Sequence, residues 1–236
     1  MTVRSLICLH GYGVRGFFWD PVRSRLEEAF PELMTPDLKM TSVETLLEHT
    51  ERLIRSKAEL DRAPVHLIGH SLGGVVAAVC ARNLGPKYVA KVVIIGSPYG
   101  ERPKLPGRLS QVLMGLGLIP EFFIRPKFFS SRTPPDKQKE LFSKTVSESR
   151  ELQRDLLQPV WFHTDMFQFP LKQPSLTVYS RRDRIVSAEE TKAFGEALGS
   201  ELLEFGPNEG VGHDDFVWAP PVVSSLLPRI IAFLKR

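Results

Sequence analysis

The stretch Gly69-His70-Ser71-Leu72-Gly73 constrains this chain more than any other. It lies between the apolar run Val65-His66-Leu67-Ile68 and the small-residue stretch Gly74-Val75-Val76-Ala77-Ala78-Val79-Cys80-Ala81. The run reads as a buried strand and the stretch as a buried helix, which puts the serine at the tip of a sharp turn. Such a turn forces its central residue into a strained backbone conformation and lifts the hydroxyl clear of the sheet. Positions two before and two after the serine must be small, because strand and helix approach too closely there for a side chain. Gly69 and Gly73 meet that demand. The turn also aims a helix N-terminus at the hydroxyl, where negative charge is favoured. A bare G-x-S-x-G is often only a loop; between a strand and a helix it makes Ser71 a candidate nucleophile.

The rest of the chain alternates strand and helix, the pattern of a parallel sheet covered on both faces. Strands are expected at 3–9, 33–35, 65–68, 92–96, 175–179 and 201–205. Helices are expected at 20–30, where Asp20-Pro21 gives an N-cap and a first-turn proline, at 43–58, from the elbow to about residue 84, at 188–198 and at 222–234. The length of 236 residues fits one domain, 1–236, with an ample core. The 31 basic and 27 acidic residues leave a mildly basic balance that asks for no nucleic acid. No apolar run approaches the ~18 residues needed to span a bilayer, and residues 6–9 are too short for a signal peptide. Cys8 and Cys80 read as small buried residues without a disulfide framework, so a cytoplasmic location is the expectation.

Between Ser97 and Pro174 the alternation stops, over a length too great for a simple connection. Leu109, Val112, Leu113 and Leu116 have helical spacing, and residues 137–157 read as a further helical stretch. Eight of the 15 phenylalanines (Phe122, Phe123, Phe128, Phe129, Phe142, Phe162, Phe167 and Phe169) fall here and must be buried against something. Residues 99–173 are therefore expected to form a helical cap inserted over the mouth of the site.

With these features the chain resembles the α/β-hydrolase superfamily, in particular its single-domain serine esterases and lipases. The resemblance covers 1–98 and 174–236 well and the cap only by position. It implies an α/β-hydrolase fold, a mostly parallel sheet flanked by helices with a helical cap insertion. The chain opens directly on the strand before His10-Gly11, so about six core strands are expected. The family places its acid after the next-to-last strand and its histidine after the last. Arg181-Arg182-Asp183-Arg184 supplies Asp183 at the first place and Gly210-Val211-Gly212-His213 supplies His213 at the second. The resemblance thus implies a triad of Ser71, Asp183 and His213. Asp214 and Asp215 are rivals by composition, but neighbours of the histidine cannot easily reach its ring, and they are read as capping and surface charge. The implied oxyanion donors are the amides of Leu72 and, from the loop His10-Gly11-Tyr12-Gly13, of Tyr12. His10 is read as holding that loop, and His66 and His70 as core or near-core residues.

The implied reaction is cleavage of a carboxylic ester through an acyl-enzyme, on a small-molecule ester or thioester with an apolar acyl or aromatic group. Trp19, Phe123, Trp161 and Phe167 are the candidate substrate contacts. The same triad serves a thioesterase, an acyltransferase or a carbon–carbon bond hydrolase, and the fold also serves as a small-molecule binder. No cofactor is called for. His163 and Asp165 lack a third ligand, so no metal site is expected. Arg181, Arg182 and Arg184 are read as a solvated face. Cap residues Arg102, Lys104, Arg108, Arg125, Lys127 and Arg132 would allow at most weak contact with an anionic membrane surface.

Overall fold

The computed structural model describes residues 3–99, 121–156, 170–206 and 211–236, and at 121–124 the backbone alone. Six strands form one sheet: β1 (Ser5–Leu9), β2 (Glu32–Met34), β3 (Val65–His70), β4 (Val89–Ile95), β5 (Ser175–Tyr179) and β6 (Glu201–Glu204). Their order is β2-β1-β3-β4-β5-β6, and every pairing is parallel. Every residue of β1 and β3 is buried, as strands covered on both faces must be. Alternate side chains feed opposite layers: Leu6 and Cys8 join one core cluster, Ile7 and Leu9 the other.

Helices α1 (Arg23–Ala29), α2 (Val43–Asp61) and α3 (Leu72–Leu84) connect the first four strands. Ser42 caps α2 by accepting from the Thr45 amide at 3.1 Å. After β5 come α7 (Ala188–Leu198), opened by a Ser187/Glu190 capping box, then α8 (Asp215–Trp218) and α9 (Pro220–Lys235). Between β4 and β5 lie α4 (Glu121–Phe128), α5 (Pro135–Ser143) and α6 (Arg150–Leu156). No helix among the described residues is long and apolar enough to cross a membrane.

Two expectations are corrected. The helix expected from Asp20 begins earlier, as a 3-10 helix at Gly16–Val22 that hands over to α1, so Pro21 lies inside the 3-10 segment. Its start is set by tertiary contact: the Gly16 amide donates to Asp37 Oδ1 at 2.7 Å, and a β-carbon there would stand 2.1 Å from the Thr35 carbonyl oxygen. The stretch expected to be helical over 137–157 is broken at 144–149. Those residues bond elsewhere. Val146 N–H donates to the Gly13 carbonyl at 2.9 Å, Glu148 pairs with Arg15, and Ser149 Oγ accepts from the Leu152 amide at 3.0 Å to begin α6. The helical spacing at 109–116 lies outside the described residues.

The chain leaves β1 toward β2 on one side and returns through β3 on the other. The loops after these adjacent strands therefore diverge at a topological switch point, where open α/β sheets place ligands. Helix α3 runs close beneath them. A β-carbon at Gly73 would sit 2.3 Å from the Leu9 carbonyl oxygen and 2.5 Å from that of His10, and one at Gly69 would sit 2.2 Å from the Gly73 carbonyl oxygen. These obstacles are backbone and cannot rotate away. Gly73→Ala is expected to lower unfolding stability by about 2–3 kcal/mol. Chemical denaturation of the variant checks this; a stability equal to that of the wild type would contradict the close approach.

Candidate active site

Ser71 has φ 54° and ψ −123°, and among the described non-glycine residues only Arg62 shares a positive φ. Strain of this kind costs on the order of 1–3 kcal/mol. The surroundings hold it in place: Ser71 N–H donates to the Ile95 carbonyl at 2.9 Å, and Gly74 N–H to the Ser71 carbonyl at 3.0 Å. Leu72 is the first residue of α3, so its N–H belongs to the amides a helix cannot satisfy internally. The loop after β1 lies against the serine, since a β-carbon at Gly11 would come within 3.0 Å of Ser71 Cβ. His10 fastens that loop. Its Nε2 accepts from the Leu38 amide at 3.0 Å, which leaves Nδ1 to donate to the Gly11 carbonyl at 2.8 Å. Burial pushes the His10 imidazole down to about 4, so it stays neutral in this role.

Asp183 follows β5, and His213 precedes α8. Both are buried, with His213 Nδ1 2.7 Å from Asp183 Oδ2. The second carboxylate oxygen of Asp183 accepts the amides of Ile185 at 2.8 Å and Val186 at 3.0 Å, which fixes the plane of the carboxylate. A carboxylate can only accept, so Nδ1 carries the proton and Nε2 is the basic nitrogen. Burial favours the neutral imidazole, but the charge and hydrogen bond of Asp183, with the charge of Asp214, outweigh it and raise His213 above its ordinary value. Gly96, at φ +54°, makes room for the pair: a β-carbon there would lie 3.2 Å from Asp183 Oδ2 and 3.4 Å from His213 Nδ1.

The serine and histidine loops meet through His70. Its Nε2 donates to the His213 carbonyl at 2.9 Å, and its ring stacks on Phe18 and lies 4.6 Å from the His213 ring. Burial first, and the His213 charge second, hold His70 neutral. Ser71 Oγ makes no hydrogen bond with another described residue.

Asp214 and Asp215 are not surface charges, contrary to the sequence reading. Asp214 is 7% exposed, and burial pushes its carboxyl up to about 7. Asp215 is wholly buried. It accepts from the Gly212 amide at 2.7 Å, from Thr133 Oγ1 at 2.6 Å and from the Ser130 amide, which ties the histidine loop to the segment after α4. Phe128 adds a carbonyl to the Asp214 amide at 2.9 Å and an edge contact to the His213 ring. The sequence reading missed Gly96 and the anchoring role of Asp215. A glycine directly after β4 was the available signal for the first; for the second there was none.

Trp19 is 2% exposed and packs edge-on against Phe18 in the core cluster. The Phe123 side chain, Trp161 and Phe167 lie outside the described residues, as do His163 and Asp165. Arg181, Arg182 and Arg184 are exposed, with Arg181 paired to Glu204. His70, His213 and Asp214 place possible metal-ligating atoms within 4.8 Å of one another. However, His70 Nε2 carries the hydrogen it donates and His213 Nδ1 is committed to Asp183, so a metal held through either nitrogen would break a bond the site uses.

Comparison with known proteins agrees with this architecture. No curated protein sequence matches the chain significantly. An esterase from Thermogutta terrifontis superposes with a TM-score of 0.74 at 19% identity, over 100% of this chain and 92% of its own. A monoacylglycerol lipase from Paleococcus ferrophilus gives 0.75 at 21%, covering 99% and 95%. An esterase from Rhodococcus sp. ECU1013 gives 0.71 at 17%, covering 98% and 91%. At these identities the likeness is one of fold. The sequence model of the alpha/beta hydrolase family matches residues 6–223, nearly the whole length. The chain belongs to the alpha/beta hydrolase family.

Proposed function

We propose that the protein is a serine hydrolase that cleaves a carboxylic ester through an acyl-enzyme, with Ser71 as nucleophile, His213 as general base and Asp183 as the acid that orients it. The observation that carries this reading is the buried His213–Asp183 pair at 2.7 Å, set beside a serine held at φ 54°. In the first step His213 Nε2 takes the Ser71 hydroxyl proton as Oγ attacks the ester carbonyl. The amides of Leu72 and Tyr12 receive the oxyanion. The tetrahedral intermediate collapses as His213 returns the proton to the departing alcohol. Water then attacks the acyl-enzyme by the same route, releasing the acid and freeing Ser71. Residues 99–173 act as a cap within one domain, and their phenylalanines favour an apolar acyl or aromatic group. Phe123, Trp161 and Phe167 are the proposed contacts; Trp19, expected from the sequence to touch substrate, packs in the core instead.

Ser71→Ala is expected to lose on the order of 10⁴-fold or more in kcat/KM. Mass spectrometry after fluorophosphonate treatment should place one adduct on Ser71. An adduct elsewhere, or an active alanine variant, would overturn the assignment. Catalytic efficiency on an ester series should rise with acyl length over several carbons, since each buried methylene contributes up to ~0.8 kcal/mol. Matched thioesters separate an esterase from a thioesterase.

The base must be neutral to act, so activity should fall as pH drops through the His213 pKa. Because that value is raised above 6.5, the half-maximal point of kcat/KM should lie on the alkaline side of 6.5. Asp183→Asn removes the charge that raises it. Its profile should therefore shift to lower pH while the plateau falls on the order of 10⁴-fold. Asp214→Asn should slow the enzyme far less; the reverse ranking would make Asp214 the acid.

A further inference from the structure

In the reading above, the Tyr12 amide must point at the reacting oxygen, yet Tyr12 stands between Gly11 and Gly13, the two most permissive neighbours a residue can have. Gly13 itself is at φ +76°. A loop of this composition keeps one conformation only if its peptide groups are anchored from outside.

The structure shows where the anchors are. The Gly11 carbonyl belongs to the same peptide plane as the Tyr12 N–H, and it accepts from His10 Nδ1. The next plane carries the Gly13 N–H, which donates to Glu148 Oε1 at 3.1 Å. The plane after that carries the Gly13 carbonyl, which accepts from the Val146 N–H at 2.9 Å. Both polar groups of Gly13 are thus held by the segment between α5 and α6. Tyr12 N–H donates to no described residue.

Glu148 is an expensive way to make a mere surface contact. Its side chain is 1% exposed, and a carboxylate taken out of water must be paired and hydrogen-bonded to be tolerated. It is paired: Arg15 Nη1 lies 2.6 Å from Oε1 and Nη2 3.2 Å from Oε2, while Nη1 also donates to the Val14 carbonyl at 2.8 Å. Gln153 Nε2 in turn donates to the Glu148 carbonyl at 2.9 Å. The guanidinium also has an electrostatic task, because an uncompensated carboxylate here would oppose the negative charge that develops on the substrate oxygen.

We propose that Glu148 is a positioning residue for the oxyanion loop, its carboxylate gripping the Gly13 amide and the Arg15 guanidinium so that the Tyr12 amide is left as the donor facing substrate. The proposal rests on the serine-hydrolase reading. It makes the segment between α5 and α6 a determinant of rate as well as of substrate choice.

The test uses three variants of the full chain, with hydrolysis of a short p-nitrophenyl ester measured per active site titrated by a fluorophosphonate. Glu148→Gln keeps an acceptor for the Gly13 amide but loses the charge that faces Arg15, so it should lose less in kcat than the two variants that remove or withdraw that acceptor. Glu148→Ala removes the acceptor, and Glu148→Asp keeps the charge but withdraws it by one methylene. Both should lose tenfold or more in kcat with little change in KM, since the contact matters only once the oxyanion forms. Affinity for a trifluoromethyl ketone, which forms a tetrahedral oxyanion on the serine, should weaken by a similar factor. The aspartate variant keeps the test decisive if the alanine variant does not fold. Unchanged kcat per titrated site in Glu148→Asp, or a glutamine variant as slow as the aspartate one, overturns the proposal. A wild-type protein that the fluorophosphonate does not modify overturns the serine-hydrolase reading instead, and the proposal with it.

Discussion

The geometry of this molecule depends on how closely helix α3 passes the C-terminal end of β1. With Gly73 against the carbonyls of Leu9 and His10, the helix axis lies nearer the sheet than any side chain would permit. That proximity bends the chain sharply enough at Ser71 to place it at positive φ. It also brings the loop after β1 against the serine, so that two segments from the diverging sides of the switch point share one small volume. The strain at Ser71 is spread over a wholly buried strand and a helix buried along most of its length, and such packing tolerates few alternatives.

Around this volume the protein buries an unusual density of ionisable groups. His10, His70, Asp183, His213, Asp214 and Asp215 are all buried. They remain compatible because each is assigned a partner or a charge state: His10 and His70 stay neutral, and Asp215 takes donors from two segments. His213, paired with Asp183, differs from the other two histidines in its charge preference. Its surroundings favour the charged form, as a group that must accept a proton during a reaction requires.

Much of this was legible in the sequence because local rules govern it. The elbow announces itself through glycine spacing, and β5 and α7 fall at the residues expected from apolar alternation and helical periodicity. The Asp183–His213 contact follows from strand order once the family is suspected. What escaped was tertiary in origin. Residues 144–149 have helical neighbours on both sides, but their bonds to Gly13 and Arg15 outweigh local propensity. Asp214 and Asp215 look like surface acids, since adjacent aspartates usually are; only the fold reveals that Ser130 and Thr133 arrive to bury one of them. Glu148 is one acid in a polar stretch, and nothing in that stretch points to a glycine over a hundred residues away.

The Asp215 carboxylate has a consequence for how far this architecture is modular. Insertions in folds of this kind can be imagined as exchangeable lids, grafted from one scaffold to another to change specificity. Here the segment after α4 supplies the hydroxyl and amide that hydrogen-bond a buried carboxylate two residues from His213. A transplant that cut on either side of the described helices without carrying Ser130 and Thr133 would strand a buried negative charge beneath the histidine. Any separable unit is therefore smaller than the segment between β4 and β5: residues 128–133 belong to the scaffold.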